Sequence, residues 1–257
     1  MELTDKLKKL LSLTRRSVQD YDMIQDGDRV CVGLSGGKDS SAMLAVLAYL
    51  KRFYPKKFEL EAVHISLGFA NKEETREALQ KYCDSLGVHF TFVESSIAEV
   101  VFDIRKESNP CALCANLRRG ALNDHAARLG CNVVALAHHK DDVIETAMLS
   151  LSYEGRFYCF SPNTWLSRSR VSVIRPFIYV TEGEIKAFVR EQGDAIPVVT
   201  NLCPMDKTSK RSQIKDTIKM LENDNHDIRR NIFGAVKRDV WARSNDGVRD
   251  ISRESGQ

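Results

Sequence analysis

Apolar positions along the chain recur at two alternating periods. Leu3–Ile24 carries Leu7, Leu10, Leu11 and Val18 at helical spacing, with Thr4 suited to the N-cap. Arg29–Leu34 is a short β-type run, and Ser41–Tyr54 has the pattern of a helix. Leu60–Ile65 then predicts a strand, Lys72–Leu86 a helix stopped by Gly87, and Val88–Val93 another strand. Ile97–Lys106 is weakly helical, Ala112–Leu129 strongly so up to Gly130, and Asn132–Ala137 has the composition of a buried strand. Asp142–Ser152 predicts a helix, Val171–Ile174 a late strand before Pro176, and Glu182–Gln192 a further helix. Strands alternating with helices of about 10–15 residues imply βαβ units and a parallel sheet, with ligands at the carboxyl ends of its strands. The expected fold class is therefore α/β, with helices on both faces of the sheet.

Beyond Ile196-Pro197 the pattern changes. Thr200–Ser212 is polar and irregular, and Gln213–Glu222 and Asp227–Trp241 predict two more helices. From Met205 to Arg243 there are ten Lys/Arg against six Asp/Glu, so positive charge is concentrated there although the whole chain is only +3. The expected organisation is an N-terminal helix over 1–25, an α/β core over 26–200, a basic helical extension over 201–243 and a loose tail over 244–257. A length of 257 residues suits one core with an appendage, and a hydrophobic share of 43% is enough to build that core.

No apolar run approaches the roughly 18 residues that span a bilayer. The N-terminal Met-Glu-Leu-Thr-Asp-Lys lacks the basic-then-apolar plan of a signal peptide. The expected location is cytoplasmic, with no membrane partner. Seven cysteines, an odd number, argue against a disulfide framework there and leave some of them free for chemistry.

Ser35-Gly36-Gly37-Lys38-Asp39-Ser40-Ser41 lies between a strand and a helix. Its glycines permit positive φ and close backbone approach, and the helix that follows presents unpaired N–H groups with partial positive charge. Lys38 and the serine hydroxyls extend this grip, so the loop reads as a phosphate cradle. It is not a Walker A loop, because Asp39 stands where Ser or Thr would follow the lysine.

Cys111-Ala112-Leu113-Cys114 follows Pro110 at the start of a helix, whose N-terminus should stabilise both thiolates. Cys203, in Asn201-Leu202-Cys203-Pro204, adds a third thiol from a distant segment. Three cysteines fit an iron–sulfur cluster with one open iron site, a Cys3His zinc site, or a redox pair with a bystander. Cys31, Cys83, Cys131 and Cys159 read as small buried apolar residues.

His138-His139-Lys140-Asp141-Asp142 follows a predicted strand and so belongs at the same end of the sheet as the glycine loop. These side chains could be metal ligands or an acid/base pair, with Asp141 a natural N-cap for the helix. Arg118-Arg119 would ordinarily be a solvated helix face. Lys207, Lys210, Arg211, Lys215 and Lys219 include like-charge pairs four residues apart, Arg211/Lys215 and Lys215/Lys219. Such pairs repel by about 0.2–0.5 kcal/mol each, and contact with RNA phosphates would offset that cost. Arg119, Lys207, Lys210, Arg211 and Lys215 are the expected RNA contacts.

The glycine loop resembles the signature of the PP-loop, or N-type ATP pyrophosphatase, family. That resemblance implies attack of a substrate oxygen on the α-phosphorus of ATP, giving an adenylated substrate and pyrophosphate. The implied fold is the adenine nucleotide alpha hydrolase-like, Rossmann-like sheet. Ser35, Gly36, Gly37, Lys38, Asp39 and Ser40 would hold ATP together with His138, and Asp39 would help to hold Mg2+.

The glycine loop, then Cys111-x-x-Cys114 with Leu117-Arg118-Arg119-Gly120, then Ala137-His138-His139-Lys140-Asp141-Asp142, then Asn201-Leu202-Cys203 together resemble the tRNA 2-thiocytidine synthetase branch of that family. The resemblance covers about three quarters of the chain, from Val30 to Asp216. It implies a 4Fe-4S cluster on Cys111, Cys114 and Cys203 with its fourth iron open to sulfide. Asp39, Arg118 and Asp142 would then be the catalytic residues. The implied activity is an ATP- and cluster-dependent tRNA sulfurtransferase acting on a pyrimidine C2. Its partners would be tRNA, a cysteine desulfurase or other sulfur donor, and a second copy in a homodimer. The alternatives are a PP-loop enzyme adenylating or desulfurating a small molecule or free base, and a non-catalytic nucleotide- or cluster-binding regulator. Two departures stand out: Ala137 replaces the family's usual Gly, and Phe157–Arg170 does not match the usual loop.

Overall fold

The computed structural model describes residues 2–69, 71–106, 110–199, 203 and 210–242. Its centre is a six-stranded sheet made of β1 (Asp28–Gly33), β2 (Phe58–Ile65), β3 (His89–Val93), β4 (Val133–Ala135), β5 (Asn163–Leu166) and β6 (Val171–Ile174). The strand order is β3-β2-β1-β4-β6-β5. All neighbours are parallel except β5 and β6, which pair antiparallel with Thr164 opposite Val173. The expected parallel sheet is thus correct for five strands, and an antiparallel edge strand completes it.

Alternation along the strands sends side chains to two cores. Val30, Val32, Val133 and Ala135 join the larger core, whereas Cys31, Val63, Val134 and Val173 point into a smaller one on the opposite face. The larger core is covered by α1 (Asp5–Asp20), α2 (Lys38–Leu50), α3 (Lys72–Leu86), α5 (Lys140–Glu154) and α6 (Glu182–Gln192). It also takes in Ile214 and Ile218 of α7 (Lys210–Asp224) and Phe233 of α8 (Ile228–Ala235). The smaller core lies under α4 (Pro110–Arg128) and a π-helical segment, Glu99–Arg105.

Several predicted boundaries coincide with the structure: α3, α6 and β6 match to the residue, and Thr4 caps α1 by accepting the Leu7 N–H. Others move for identifiable reasons. The second helix begins at Lys38 rather than Ser41, directly on the glycine loop, with Gly37 as its N-cap. The stretch expected as a weak helix over Ile97–Lys106 holds the π-helical segment Glu99–Arg105, closed by Lys106 at φ 47°, and the last helix passes into a second π-helical segment at Val236. No helix among the described residues is long and apolar enough to cross a membrane.

The chain runs β1, β2, β3 outward in one direction and then returns to β4 on the other side of β1. The crevice between the carboxyl ends of β1 and β4 is therefore the topological switch point, where open α/β sheets bind ligands.

Candidate active site

Both segments singled out by their chemistry emerge at this crevice. After β1, Gly36 adopts φ +82°, and its carbonyl accepts the Val199 N–H at 2.8 Å. Ser40 Oγ accepts the Ser35 N–H at 3.1 Å and lies 2.9 Å from Ser35 Oγ, so the two serines tie the loop into a closed turn. No side chain caps the N-terminus of α2. Its first-turn N–H groups therefore face the cleft without a local acceptor, the arrangement that binds phosphate.

Lys38 Nζ lies 3.0 Å from Asp39 Oδ2 and 3.1 Å from Glu182 Oε1. The other oxygen of Asp39 is buried without a hydrogen-bond partner, 4.0 Å from His139 Nε2. Burial alone would raise the Glu182 carboxyl, but hydrogen bonds from Lys38 and Lys186 prevail and bring it down to about 2.

Beyond β4, His138 and His139 point different ways. Burial, with Arg175 close by, depresses His138 to about 4, so its ring is neutral at physiological pH. That ring packs on Phe160 at 4.8 Å between centroids. His139, rather than the expected Asp141, caps α5. Its Nδ1 accepts the Asp142 N–H at 3.4 Å while Asp142 Oδ2 accepts the His139 N–H at 3.0 Å, a reciprocal capping box. Asp141, the second residue of the helix, instead accepts the Glu182 N–H at 2.7 Å and Arg229 Nη1 at 2.8 Å. Asp142 Oδ1 accepts from Arg211 Nη1 at 3.0 Å, so both of its oxygens are engaged.

Arg118 and Arg119 of α4 line the same cleft, of about 550 Å³, together with the glycine loop, His64, His138 and Arg175. Pattern reasoning missed His64 and Arg175, because each is a single polar residue at a strand end. His64 donates from Nδ1 to the Leu34 carbonyl at 2.8 Å, and burial lowers its pKa. Arg175, buried beneath the cleft wall, is drawn down to about 10 by burial and lies 4.9 Å over the Phe160 ring.

Cys111 is exposed, and Cys114 and Cys203 are half-buried. The Cys114 thiol is pushed up by burial, lowered by Arg118, and raised again by Cys203 and Cys111. The three cysteines thus share one neighbourhood with Arg118. The expected stabilisation of both thiolates by the helix N-terminus does not hold at Cys114, where burial and the other two sulfurs outweigh it. Among the described residues no three His, Cys, Asp or Glu side chains converge as on a single metal ion. Cys31, Cys83, Cys131 and Cys159 are all buried, as their apolar surroundings in the sequence implied.

On the basic helix, two of the expected RNA contacts meet carboxylates of neighbouring helices. Arg211 reaches Asp142 and Thr146, each at 3.0 Å, and Lys215 Nζ lies 3.6 Å from Glu145 and 3.8 Å from Glu182. The repulsion between Arg211 and Lys215 is therefore offset by carboxylates of α5 and α6. Lys219 pairs with Asp216 at 3.6 Å, and Lys210 lies over the Tyr153 ring at 4.7 Å. Lys207 lies outside the described residues.

The PP-loop domain family matches residues 4–218. This chain belongs to the PP-loop family. Within it, the chain is 37% identical over 246 residues to a tRNA-cytidine(32) 2-sulfurtransferase of Pelobacter propionicus, covering 92% of this chain and 90% of that protein. It is 35% identical over 241 residues to the protein of the same description in Geobacter sulfurreducens, covering 92% of each. Among solved structures, the U34-tRNA thiolase NcsA of Methanococcus maripaludis, determined with its 4Fe-4S cluster, superposes with a TM-score of 0.71. That match has 23% identity, covers 90% of this chain and 79% of the thiolase, and speaks to the shared PP-loop fold.

Proposed function

We propose that the chain is an ATP-dependent tRNA sulfurtransferase that replaces the C2 oxygen of a cytidine with sulfur. The observation that carries this reading is the shared neighbourhood of Cys111, Cys114 and Cys203 with Arg118, which itself lines the cleft of the glycine loop. The two PP-loop relatives named above are described as acting on tRNA cytidine, which supports the same chemistry here.

In this reading Ser35–Ser40 and the uncapped N-terminus of α2 hold the ATP phosphates, with Lys38 leaving Asp39 and Glu182 to reach them. The unpartnered oxygen of Asp39 suits Mg2+. The C2 oxygen of the target base attacks the α-phosphorus, pyrophosphate leaves, and the oxygen departs later with AMP when sulfur adds at C2. Arg118 neutralises charge on the adenylate. Asp142 serves as an orienting group, because both of its oxygens are already engaged. Neutral His138 helps to seat the nucleotide.

The cysteine chemistry fits an iron–sulfur cluster, since three thiols share one neighbourhood with Arg118. A 4Fe-4S cluster on Cys111, Cys114 and Cys203 would supply an open iron able to carry sulfide. The enzyme would work in the cytoplasm, take sulfur from a cysteine desulfurase, and be compatible with a homodimer. Arg119, Lys207 and Lys210 are the basic residues best suited to RNA phosphates, with residues 201–243 as the RNA-facing extension.

The decisive experiment incubates anaerobically purified protein with unmodified tRNA, ATP, Mg2+ and sulfide, and digests the tRNA for nucleoside mass spectrometry. The expected product is 2-thiocytidine, lost with Cys203→Ala, which should also bleach the brown colour. A colourless protein holding stoichiometric zinc overturns the cluster assignment.

A further inference from the structure

One surface next to the cleft carries more exposed aromatic area than a soluble face needs. Tyr153 at the end of α5 is 50% exposed, and Phe157 and Tyr158 just beyond it are 39% and 47% exposed. The left-handed turn at Gly155 brings the chain off α5 and into this stretch. The segment is held firmly. Cys159 is buried with its thiol 3.6 Å from the Val143 carbonyl, and the Phe160 carbonyl accepts Trp241 Nε1 at 2.9 Å. Tyr158 therefore projects outward from a fixed rim while Phe160, two residues later, lines the cleft.

Two features select the partner. The first is charge: Lys210 lies 4.7 Å over the Tyr153 ring, Arg156 4.8 Å over Tyr158, and Arg119 and Arg175 line the adjoining cleft. The second is continuity: the Tyr158 hydroxyl is within electrostatic reach of Arg175, which packs on Phe160, which packs on His138. Flat rings interleaved with cations and leading into a catalytic cleft match unpaired nucleotides, whose bases stack and whose phosphates need positive charge.

We propose that Tyr158, Phe157 and Tyr153, with Lys210 beside them, form a stacking platform for the unpaired RNA nucleotides that flank the target base. This rests on the tRNA-thiolation reading and adds to it the element that selects a single-stranded loop. It also gives a use to the 157–170 segment, the stretch that departs from the usual family loop. A duplex would leave the rings nothing to stack on, so the platform discriminates by strand state.

The test measures binding of unmodified tRNA to the wild-type protein and to Phe157→Ala, Tyr158→Ala and Tyr158→Phe, with ATP affinity and sedimentation followed in parallel. Loss of a stacked base should weaken tRNA binding roughly 5- to 100-fold for each alanine variant. Tyr158→Phe, which keeps the ring, should stay near wild type, and ATP affinity should not change. A single-stranded oligoribonucleotide should compete less well against the alanine variants than against wild type, and duplex RNA equally well against both. Wild-type tRNA affinity in both alanine variants overturns the platform. So does dissociation of an oligomer on substitution with tRNA affinity intact, which would make this face an interface between copies. A wild-type protein that binds no tRNA would instead refute the underlying function.

Discussion

Arg211 Nη1 on α7 lies 3.0 Å from Asp142 Oδ1 on α5, so a residue of the C-terminal region holds a carboxylate beside His139, whose Nε2 lies 4.0 Å from Asp39 of the glycine loop. The guanidinium also reaches Thr146 at 3.0 Å and approaches Glu145 at 3.6 Å, which fixes its fork. Asp142 is then oriented by two helices at once, because its second oxygen closes the capping box with His139. A charge-assisted hydrogen bond of this kind contributes about 1.5–3 kcal/mol. Arg211→Met should therefore lower kcat for thiolation roughly 10- to 100-fold if Asp142 must be held to act, with KM for ATP nearly unchanged. Arg211→Lys should recover only part of this, since an ammonium cannot span both acceptors. Steady-state kinetics with tRNA varied separately checks the assignment: a loss confined to KM for tRNA would make Arg211 an RNA contact.

The unpartnered, buried oxygen of Asp39 predicts a metal dependence. Asp39→Asn keeps the shape of the side chain but removes the charge that a divalent cation requires. Adenylation should fall by roughly 100-fold or more, because the cation that screens the phosphates supplies several kcal/mol. Affinity for metal-free ATP should persist or rise, as one negative charge near the phosphates has gone. Calorimetric titration of ATP with and without Mg2+ distinguishes this from collapse of the loop, which would abolish both.

Gly36 supports a third prediction. Its φ of +82° is costly for any side chain, and an added Cβ would lie 3.2 Å from the Val199 side chain. Gly36→Ala should lower stability by about 1–2 kcal/mol. It should weaken ATP binding further, because the loop can relieve the strain only by turning its N–H groups away. Urea unfolding and ATP titration on the same preparation separate the two effects.

Much of this was legible along the chain, and what was not has physical causes. The helix over Lys72–Leu86 is local: its apolar stripe and Gly87 terminator both lie in the sequence that forms it. β5 is only four residues long, lies at the sheet edge and leaves Trp165 exposed, so it lacks a buried alternating face. The cap of α5 was misassigned because Asp141 suits an N-cap on its own, whereas His139 takes the position through a reciprocal bond with Asp142. The glycine loop, the Cys-x-x-Cys pair and the His-His-Lys-Asp-Asp run were visible as compact motifs. Arg175, His64, Glu145 and Glu182 were not, since their importance arises from contacts between segments far apart in sequence. The positive helix is the clearest case. Its like charges were evident, but the carboxylates that answer Arg211 and Lys215 lie some 30 to 70 residues away.

Glu145, within that network, gives the protein a predictable pH response. Its side chain is 2% exposed, and one of its oxygens lacks a hydrogen bond although Arg211 and Lys215 each stand 3.6 Å from the carboxylate. Burial pushes the carboxyl up to about 7, with the two cations only partly opposing it. The native state thus keeps a proton that the unfolded chain has already released above its ordinary value of 4.5. Between about 4.5 and about 7 the folded form binds more protons, so this group makes stability fall as pH rises through that window and adds no slope above it. Glu145→Gln removes the titration while keeping the shape. The variant should match wild type most closely near the acid end of the window and gain on it progressively up to about pH 7, after which the difference should stay constant. Urea midpoints taken at intervals across the window test this. Parallel pH profiles for the two proteins would show that Glu145 is ionised throughout and that its contacts with Arg211 and Lys215 outweigh its burial.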